Sequence, residues 1–260
     1  MQTALITGAS SGIGKVFAQE LAARQVDLVL VARSEAKLQQ LAAQLREQFG
    51  VQVQVLVQDL IEPGAATRVF EAVTESGWVI DLLVNNAGFG DYGEFAERSR
   101  SRYLEMIQLN VMSLVDLTHQ FLPGMQQRRS GSIINVSSIA GFQPLPYWSV
   151  YAATKAFVLS FSESLWAENK VYGVRVLALC PGTTKTEFFD VADATGNTTE
   201  GGQSLTSPEE VVRDALKALK SGETNVVTGG LGNQIIINLH RFLPRRLFVS
   251  LLEQQTRPKK

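Results

Sequence analysis

The stretch TALITGASSGIG, residues 3–14, decides the fold. It opens with the apolar run 4–6, continues into a turn with three glycines, and leads into a segment, 14–24, with the spacing of an amphipathic helix. A strand, a glycine-rich turn and a helix in this order present free backbone N–H groups and the positive end of a helix dipole, which suits a diphosphate. The spacing G-x-x-x-G-x-G departs from the usual G-x-G-x-x-G, so the turn is informative mainly through its strand–turn–helix context.

The same alternation continues along the chain. Short apolar runs rich in Val, Ile and Leu lie at 4–6, 28–31, 51–57, 79–84, 132–136, 174–179 and 225–228. Helix-like segments lie at 14–24, 35–48, 64–75, 100–128, 150–170 and 208–220. Runs that are apolar at nearly every position are typical of parallel strands buried on both faces. The sequence therefore predicts a single α/β domain over 1–260, a doubly wound (Rossmann) fold with a mostly parallel seven-stranded sheet flanked by helices.

Composition excludes several classes of protein. Hydrophobic residues make up 45% of the 260 residues and charged residues 19%, as in a soluble globular protein, and the net charge of −1 gives no reason to expect nucleic acid. The single cysteine, Cys180, excludes an intrachain disulfide and fits a reducing compartment. No cluster of metal ligands is apparent, so no metal is expected. The chain begins with a strand instead of a secretory signal, and a cytoplasmic location is expected.

The end of the second apolar run indicates which nicotinamide cofactor is preferred. An acidic residue there would bind the ribose 2′-hydroxyl of NAD, but the sequence has Ala32, Arg33 and Ser34. A guanidinium can pair with a 2′-phosphate, so Arg33, assisted by Ser34, predicts NADP(H). Asp59 either accepts a hydrogen bond from adenine or caps the next helix. The turn 85–88 (NNAG) places Asn86, Ala87 and Gly88 beside the cofactor.

Three side chains predict the chemistry. Tyr151 and Lys155 are four residues apart on a helix and face the same way, and Ser138 ends the fifth strand. Reduction of a carbonyl needs an acid for the developing alkoxide, and a tyrosine needs a nearby cation to lower its pKa. We expect Lys155 to lower the pKa of Tyr151 and to bind the ribose, and Ser138 to polarise the carbonyl.

Taken together and in this order, the motifs resemble the short-chain dehydrogenase/reductase family along nearly the whole chain. They are TGASSGIG (7–14), NNAG (85–88), Asn110, Ser137-Ser138, YAATK (151–155) and PG (181–182) with Thr186 beyond. The resemblance implies that Ser138, and not Ser137, is catalytic, and that Asn110 supports a proton relay to Lys155. It also implies dimers or tetramers, and the C-terminal stretch is similar to that of a bacterial branch related to lipid-active ketoreductases.

The motifs described above and the resemblance together give the expected cofactor contacts. They are Gly8, Ser10, Ser11, Gly12, Ile13, Gly14, Arg33, Ser34, Asp59, Leu60, Asn86, Ala87, Gly88, Tyr151, Lys155, Pro181, Gly182, Thr184 and Thr186. The expected substrate contacts are Ser138, Gln143, Tyr147, Tyr151 and Phe188. These substrate contacts belong to a mostly apolar and aromatic set of candidate wall residues, which favours a hydrophobic carbonyl compound.

Two segments interrupt the regular pattern. The polar, glycine-rich segment 186–206 is either a lid over the substrate or a solvated loop. The basic amphipathic segment 234–260 either lies on an anionic membrane or packs on the domain, beside the substrate pocket or at a subunit interface.

The function predicted from the sequence is NADPH-dependent interconversion of a small-molecule carbonyl and alcohol. A lipid-like 3-oxoacyl reductase is a narrower alternative. A regulatory protein that binds NADPH without turnover is the rival class, and the intact Ser138, Tyr151 and Lys155 argue against it.

Overall fold

The computed structural model describes residues 2–194, 205–239 and 243–258. Within them, seven strands form one parallel sheet in the order β3-β2-β1-β4-β5-β6-β7. The strands are β1 (Thr3–Thr7), β2 (Asp27–Ala32), β3 (Val53–Val57), β4 (Leu82–Asn85), β5 (Gly131–Val136), β6 (Val174–Cys180) and β7 (Asn225–Val227). The predicted doubly wound fold is confirmed.

Helices follow the strands as the sequence predicts. They are α1 (Gly12–Ala22), α2 (Glu35–Phe49), α3 (Ala65–Glu75), α4 (Arg100–Ile107), α5 (Ser113–Arg128), α6 (Ser149–Asn169), α7 (Phe188–Val191), α8 (Pro208–Ser221), α9 (Leu231–Leu239) and α10 (Arg245–Thr256). The segment predicted as one helix at 100–128 comprises α4, a wider π-helical turn at Gln108–Met112, and α5. None of the described helices has both the length and the apolarity needed to cross a lipid bilayer.

Both faces of the sheet are covered, which explains the apolar strands. In β1, Ala4 and Ile6 belong to the core on one face and Leu5 to the core on the other, because successive side chains of a strand point to opposite faces. Helices α1, α2 and α8 contribute to the first core, and α3, α5 and α6 to the second.

The strand order reverses between β1 and β4, and this reversal positions the site. The connection after β1 leads to one face of the sheet and the connection after β4 to the other, so a crevice opens between their carboxyl ends. The glycine-rich turn after β1 and the NNAG turn after β4 are therefore brought together at the predicted edge.

Candidate active site

One continuous cavity of about 590 Å³ runs along the carboxyl edge of the sheet, from Arg33 at the end of β2 to Thr256 at the end of α10. Nearly all of the expected cofactor residues line it: Gly8, Ser10, Ser11, Gly12, Ile13, Arg33, Ser34, Asp59, Leu60, Asn86, Ala87, Gly88, Tyr151, Lys155, Pro181, Gly182, Thr184 and Thr186. Residues from distant parts of the sequence thus share one elongated surface. Among the described residues, no three His, Cys, Asp or Glu side chains are grouped as metal ligands would be.

The glycine-rich turn is closed against β4. Gly8 has φ +64°, and a Cβ there would lie 2.8 Å from Nδ2 of Asn86. That amide donates to the carbonyl of Thr7 (2.9 Å), and the hydroxyl oxygen of Thr7 accepts from the backbone N–H of Asn86 and of Ala87 (2.9 Å each). The turn therefore needs glycine for both its backbone angle and its close approach.

Gly14, the remaining expected cofactor contact, serves the packing of the glycine-rich turn. Gly14 is buried in α1 and lies outside the cavity wall. A Cβ on it would clash with the carbonyl of Gly8 and the amide of Asn86. This glycine therefore lets α1 pack closely on the turn.

Two basic residues, Arg33 and Lys37, line the end of the cavity that lies beside β2. Arg33 is well exposed, and its guanidinium lies 3.7 Å from Oδ2 of Asp59. Lys37, four residues further on in the first turn of α2, also lines the cavity, with its ammonium 3.8 Å from Glu187. Ser34 precedes α2 without making a capping hydrogen bond, and it lines the cavity. Lys37 was not among the expected cofactor contacts, although its position four residues after Arg33 suggests that the two cations lie close together.

Asp59 does not cap the next helix, because α3 begins after Gly64 and has no side-chain cap. Its expected hydrogen bond with adenine stays a prediction. Oδ1 accepts from the backbone N–H of Ile61 (3.0 Å) and so orders the turn after β3. Oδ2 faces Arg33, and the residue lines the cavity.

Ser138, Tyr151 and Lys155 meet in the middle of the cavity. Tyr151 and Lys155 lie on successive turns of α6, and both are buried. The phenol lies near the hydroxyl of Ser138, whose oxygen accepts from the N–H of Ala140 (3.1 Å). Ser137 instead donates to the backbone carbonyl of Lys155 (2.7 Å), so it anchors α6 on β5. The two adjacent serines thus have the different positions that the resemblance implies.

Burial dominates the protonation of this group. It raises the pKa of Tyr151 to about 12, against a smaller opposite effect of the nearby Ser138 hydroxyl. Burial also lowers the pKa of Lys155 to about 8. The ammonium donates to the carbonyl of Val136 (2.8 Å) and lies 5.7 Å from the centroid of the Tyr151 ring. The expected lowering of the Tyr151 pKa by Lys155 is therefore not found in this geometry.

Asn110 lies behind the catalytic group, inside the π-helical turn. Its side chain donates to the carbonyl of Phe89 (2.9 Å) and to the hydroxyl of Thr154 (3.2 Å), and it accepts from the N–H of Phe89 (3.1 Å). The side chain thus fixes α6 relative to the strand-end loop. A π turn disturbs the i→i−4 pairing of backbone carbonyls and is frequent at functional sites, which agrees with the proton relay that the resemblance implies for Asn110.

The other half of the cavity has an aromatic wall. Phe188 in α7 stacks on Trp148 with ring centroids 6.2 Å apart, and its ring lies 5.3 Å from that of Tyr151. Phe89, Phe189, Tyr92 and Leu145 extend this wall. Trp148 and Tyr92 were not among the expected residues, because nothing in their local sequence distinguishes them from core aromatics.

Among the described residues, the structure does not bring two of the expected substrate contacts, Gln143 and Tyr147, into the cavity wall. Gln143 is buried elsewhere, and the hydroxyl of Tyr147 donates to Glu253 (2.8 Å) in α10. Tyr147 has φ +63°, in the left-handed region that a tyrosine rarely adopts.

The C-terminal segment packs on the domain and closes the end of the cavity. Phe248 and Leu252 of α10 are buried, and Gln255 and Thr256 line the cavity. The hydroxyl of Tyr92 donates to the carbonyl of Thr256 (2.7 Å). Of the two alternatives for this segment, the structure supports packing beside the pocket. Residues 240–242 and 259–260 lie outside the described part, as do 195–204 of the expected lid.

Comparisons with known proteins agree with this site. A family model described as short chain dehydrogenase matches residues 2–196. The very-long-chain 3-oxoacyl-CoA reductase of Anas platyrhynchos is 34% identical over 255 residues, covering 96% of this chain and 78% of that protein. The solved structure of a short-chain dehydrogenase from Sphingobium yanoikuyae in complex with NADPH has a TM-score of 0.83 at 34% identity, covering 100% of this chain and 97% of that one.

A second solved structure is the bulky-bulky ketone specific alcohol dehydrogenase from Comamonas testosteroni, with a TM-score of 0.79 at 31% identity over 93% of this chain and 92% of that one. A doubly wound sheet with serine, tyrosine and lysine at its carboxyl edge defines an oxidoreductase acting on carbonyl or alcohol groups. The chain belongs to the short-chain dehydrogenase family.

Proposed function

We propose that the protein is an NADPH-dependent oxidoreductase that interconverts an apolar ketone or acyl carbonyl and the corresponding alcohol. The observation that carries this proposal is the position of Ser138, Tyr151 and Lys155 in one cavity that is continuous with the glycine-rich turn. An aromatic wall on the other side of Tyr151 gives the apolar substrate its place.

The residues present fit NADP(H). The glycine-rich turn leads into the N-terminus of α1, whose free backbone N–H groups can bind a diphosphate. Arg33 and Lys37 supply two cations at the end of the cavity where the 2′-phosphate would lie, and Ser34 adds a hydroxyl. The solved relative from Sphingobium yanoikuyae is a complex with NADPH, which supports the same cofactor here.

When bound, the cofactor supplies the hydride that reduces the carbonyl carbon. The protein supplies the proton, because the raised pKa keeps the Tyr151 phenol protonated at neutral pH. Ser138 donates a hydrogen bond to the carbonyl oxygen of the substrate, which also receives the proton, and stabilises the charge that develops on this oxygen. Lys155 would hold the ribose of the bound cofactor and stabilise the phenolate that remains after proton transfer. The main chain at Asn110 would connect the site to solvent for reprotonation.

Relatives support two substrate classes within this function. The Comamonas testosteroni relative is specific for bulky-bulky ketones, and the Anas platyrhynchos relative is a very-long-chain 3-oxoacyl-CoA reductase. The aromatic cavity accommodates both an aryl ketone and the first carbons of an acyl chain. The lipid-like alternative is favoured specifically by the 96% coverage of this chain by the acyl-CoA reductase.

The test is a screen that follows NADPH absorbance with aryl ketones and with short-chain and long-chain 3-oxoacyl thioesters. Turnover with an apolar carbonyl, and little with sugars, is expected. Tight NADPH binding without turnover of any carbonyl would instead support a regulatory protein. A preference for long over short acyl chains would identify the lipid-like reductase.

The proposal extends to location and assembly. We place the enzyme in the cytoplasm, where NADPH and a reducing environment are available. Exposed Leu104, Met112 and Phe157 on the helices α4 to α6 favour a homodimer or homotetramer through this surface. Size-exclusion chromatography with light scattering tests it, because a monomer at micromolar concentration would contradict this assembly.

Peripheral membrane contact through α10 is the remaining part of the proposal. Its outer side exposes Leu247 and Leu251, and Arg245 and Arg246 lie at its start. These residues suit an anionic lipid surface. Co-sedimentation with anionic liposomes of the full chain, compared with a chain ending at Leu243, tests this contact. Equal sedimentation of the two chains would exclude it.

A further inference from the structure

A buried ionic cluster lies just outside the cavity. Asp91 has a side chain with 0% exposure, and its carboxylate accepts two hydrogen bonds from Arg98 (2.6 and 3.0 Å) and one from Nε of Arg102 (3.0 Å). None of the three residues lines the cavity, and no step of the proposed reaction uses them. A fully buried carboxylate is costly unless it is paired, so this cluster needs a physical explanation.

The cluster reaches the C-terminal end of α7. The third guanidinium nitrogen of Arg98, Nη1, contacts Asp193 (3.0 Å), and the guanidinium of Arg102 donates to the carbonyl of Val191. The backbone N–H of Tyr92, next to Asp91, donates to the carbonyl of Ala192 (3.0 Å). The three consecutive residues 191–193 at the end of α7 are thereby bound to the segment 91–102.

Helix α7 has only four residues, so it cannot be stable by itself. It nevertheless carries Phe188 and Phe189, which form the cavity wall beside Tyr151 and Trp148. The position of this wall therefore depends on contacts made from outside α7. The guanidinium of Arg102 also lies over the ring of Phe89 (4.9 Å), a second wall residue.

We propose that Asp91, Arg98 and Arg102 are positioning residues that hold α7 against Tyr151 and so determine the shape of the substrate wall. This inference rests on the proposed function for its consequence in catalysis, but its structural part does not depend on turnover. The buried carboxylate orients both guanidinium groups, and the guanidinium groups hold α7.

Trp148 reports on this wall directly, because it is buried beneath Phe188. In a background in which Trp78 and Trp166 are replaced by Phe, we expect Arg98→Gln and Asp193→Asn each to raise acrylamide quenching of Trp148 at least twofold. Asp193 has φ +58°, which asparagine tolerates, so this substitution removes the charge without straining the backbone. The control is Arg100→Gln, on the exposed side of α4, which should leave quenching unchanged.

Kinetics give the second readout. With benzophenone as a bulky substrate, Arg98→Gln should raise KM about fivefold or more, whereas NADPH affinity and kcat for a small aldehyde such as acetaldehyde should change less than twofold. If the cluster only stabilised the fold, Arg98→Gln would lower the melting temperature without affecting the bulky substrate more than the small one. Unchanged quenching of Trp148 in both variants would overturn the inference, whether or not any carbonyl is turned over. Turnover failing while quenching rises would overturn only the proposed function.

Discussion

At the scale of single residues, burial determines the state of the catalytic pair. The phenol of Tyr151 and the ammonium of Lys155 are both buried, which raises the pKa of the phenol to about 12 and lowers the pKa of the ammonium to about 8. At neutral pH the phenol is therefore protonated, and Lys155 keeps most of its positive charge. A neutral phenol is the form needed to donate a proton to a developing alkoxide. The same burial makes the reverse reaction, in which Tyr151 must accept a proton, more dependent on a nearby cation.

Removal of the phenol hydroxyl tests Tyr151 as the acid. Tyr151→Phe keeps the ring and its contact with Phe188 but has no proton to donate, so kcat should fall about a thousandfold, within the range for loss of a general acid. NADPH affinity, measured by fluorescence titration, should change little. Tyr172→Phe, on an exposed tyrosine, serves as the control. Comparable kcat in Tyr151→Phe and wild type would remove Tyr151 from the mechanism.

The lowered pKa of Lys155 makes stability depend on pH. The folded protein releases this proton near pH 8, whereas the unfolded chain keeps it to about 10.5, so the unfolded state binds more protons between these values. Stability from this group therefore rises with pH across that window. The free energy of unfolding of the cofactor-free protein is measured in urea for wild type and for Lys155→Met. Between neutral pH and about pH 10, the difference between the two should change in favour of wild type by up to about 3 kcal/mol. A constant difference would contradict the lowered pKa.

The positions of individual site residues could be predicted where they follow from the order of strands and helices along the chain. Tyr151 and Lys155 share a helix at i and i+4, and Ser138 ends a strand, so their meeting follows from the fold alone. Gln143 and Tyr147 could not be placed in this way, because they lie in the irregular loop that precedes α6. Glu253, the partner of Tyr147, lies more than a hundred residues away, and no local pattern predicts that contact.

At the scale of elements, the segments that bound the substrate are those with the weakest sequence signals. Helix α7 is short, and α10 is amphipathic with a buried side that a membrane-binding helix would also present. The sequence therefore left two alternatives for the C-terminal segment. Its packing became clear only from Tyr92 and Tyr147, which bind α10 from a distant part of the chain.

Removal of α10 tests its place at the end of the cavity. A chain ending at Leu243 loses Gln255 and Thr256 from the wall and leaves Tyr92 without its contact to Thr256. We expect KM for a bulky ketone to rise at least fivefold, with NADPH affinity unchanged, because the cofactor half of the cavity does not involve α10. Tyr147→Phe, which removes one hydrogen bond to Glu253, should give a smaller increase. An unchanged KM in the truncated chain would show that α10 does not bound the substrate.

At the scale of the whole molecule, the fold could be predicted almost completely. Strands buried on both faces have an unmistakable apolar pattern, and parallel strands require the helices that alternate with them. The position of the cofactor follows from the same logic, since strand order reverses at β1 and β4. The substrate is different, because its wall is assembled from α7, α10 and the loop after β4, whose mutual positions depend on side-chain contacts.

Cofactor binding connects these scales, because a ligand that binds only the folded state stabilises the whole chain. At a hundredfold excess over Kd, NADPH should add about 2.7 kcal/mol, which corresponds to a rise in melting temperature of about 5–10 °C for a chain of this size. Arg33→Ala and Lys37→Gln should each reduce this shift at fixed NADPH concentration, since each removes a cation at the 2′-phosphate end of the cavity. The shift with NADH, which lacks that phosphate, should be small and nearly the same in wild type and variants. Lys217→Gln, on the exposed side of α8, should behave as wild type. Equal losses with NADPH and NADH would mean that the two cations act on the fold as a whole, and the assignment of this end of the cavity to the 2′-phosphate would be wrong.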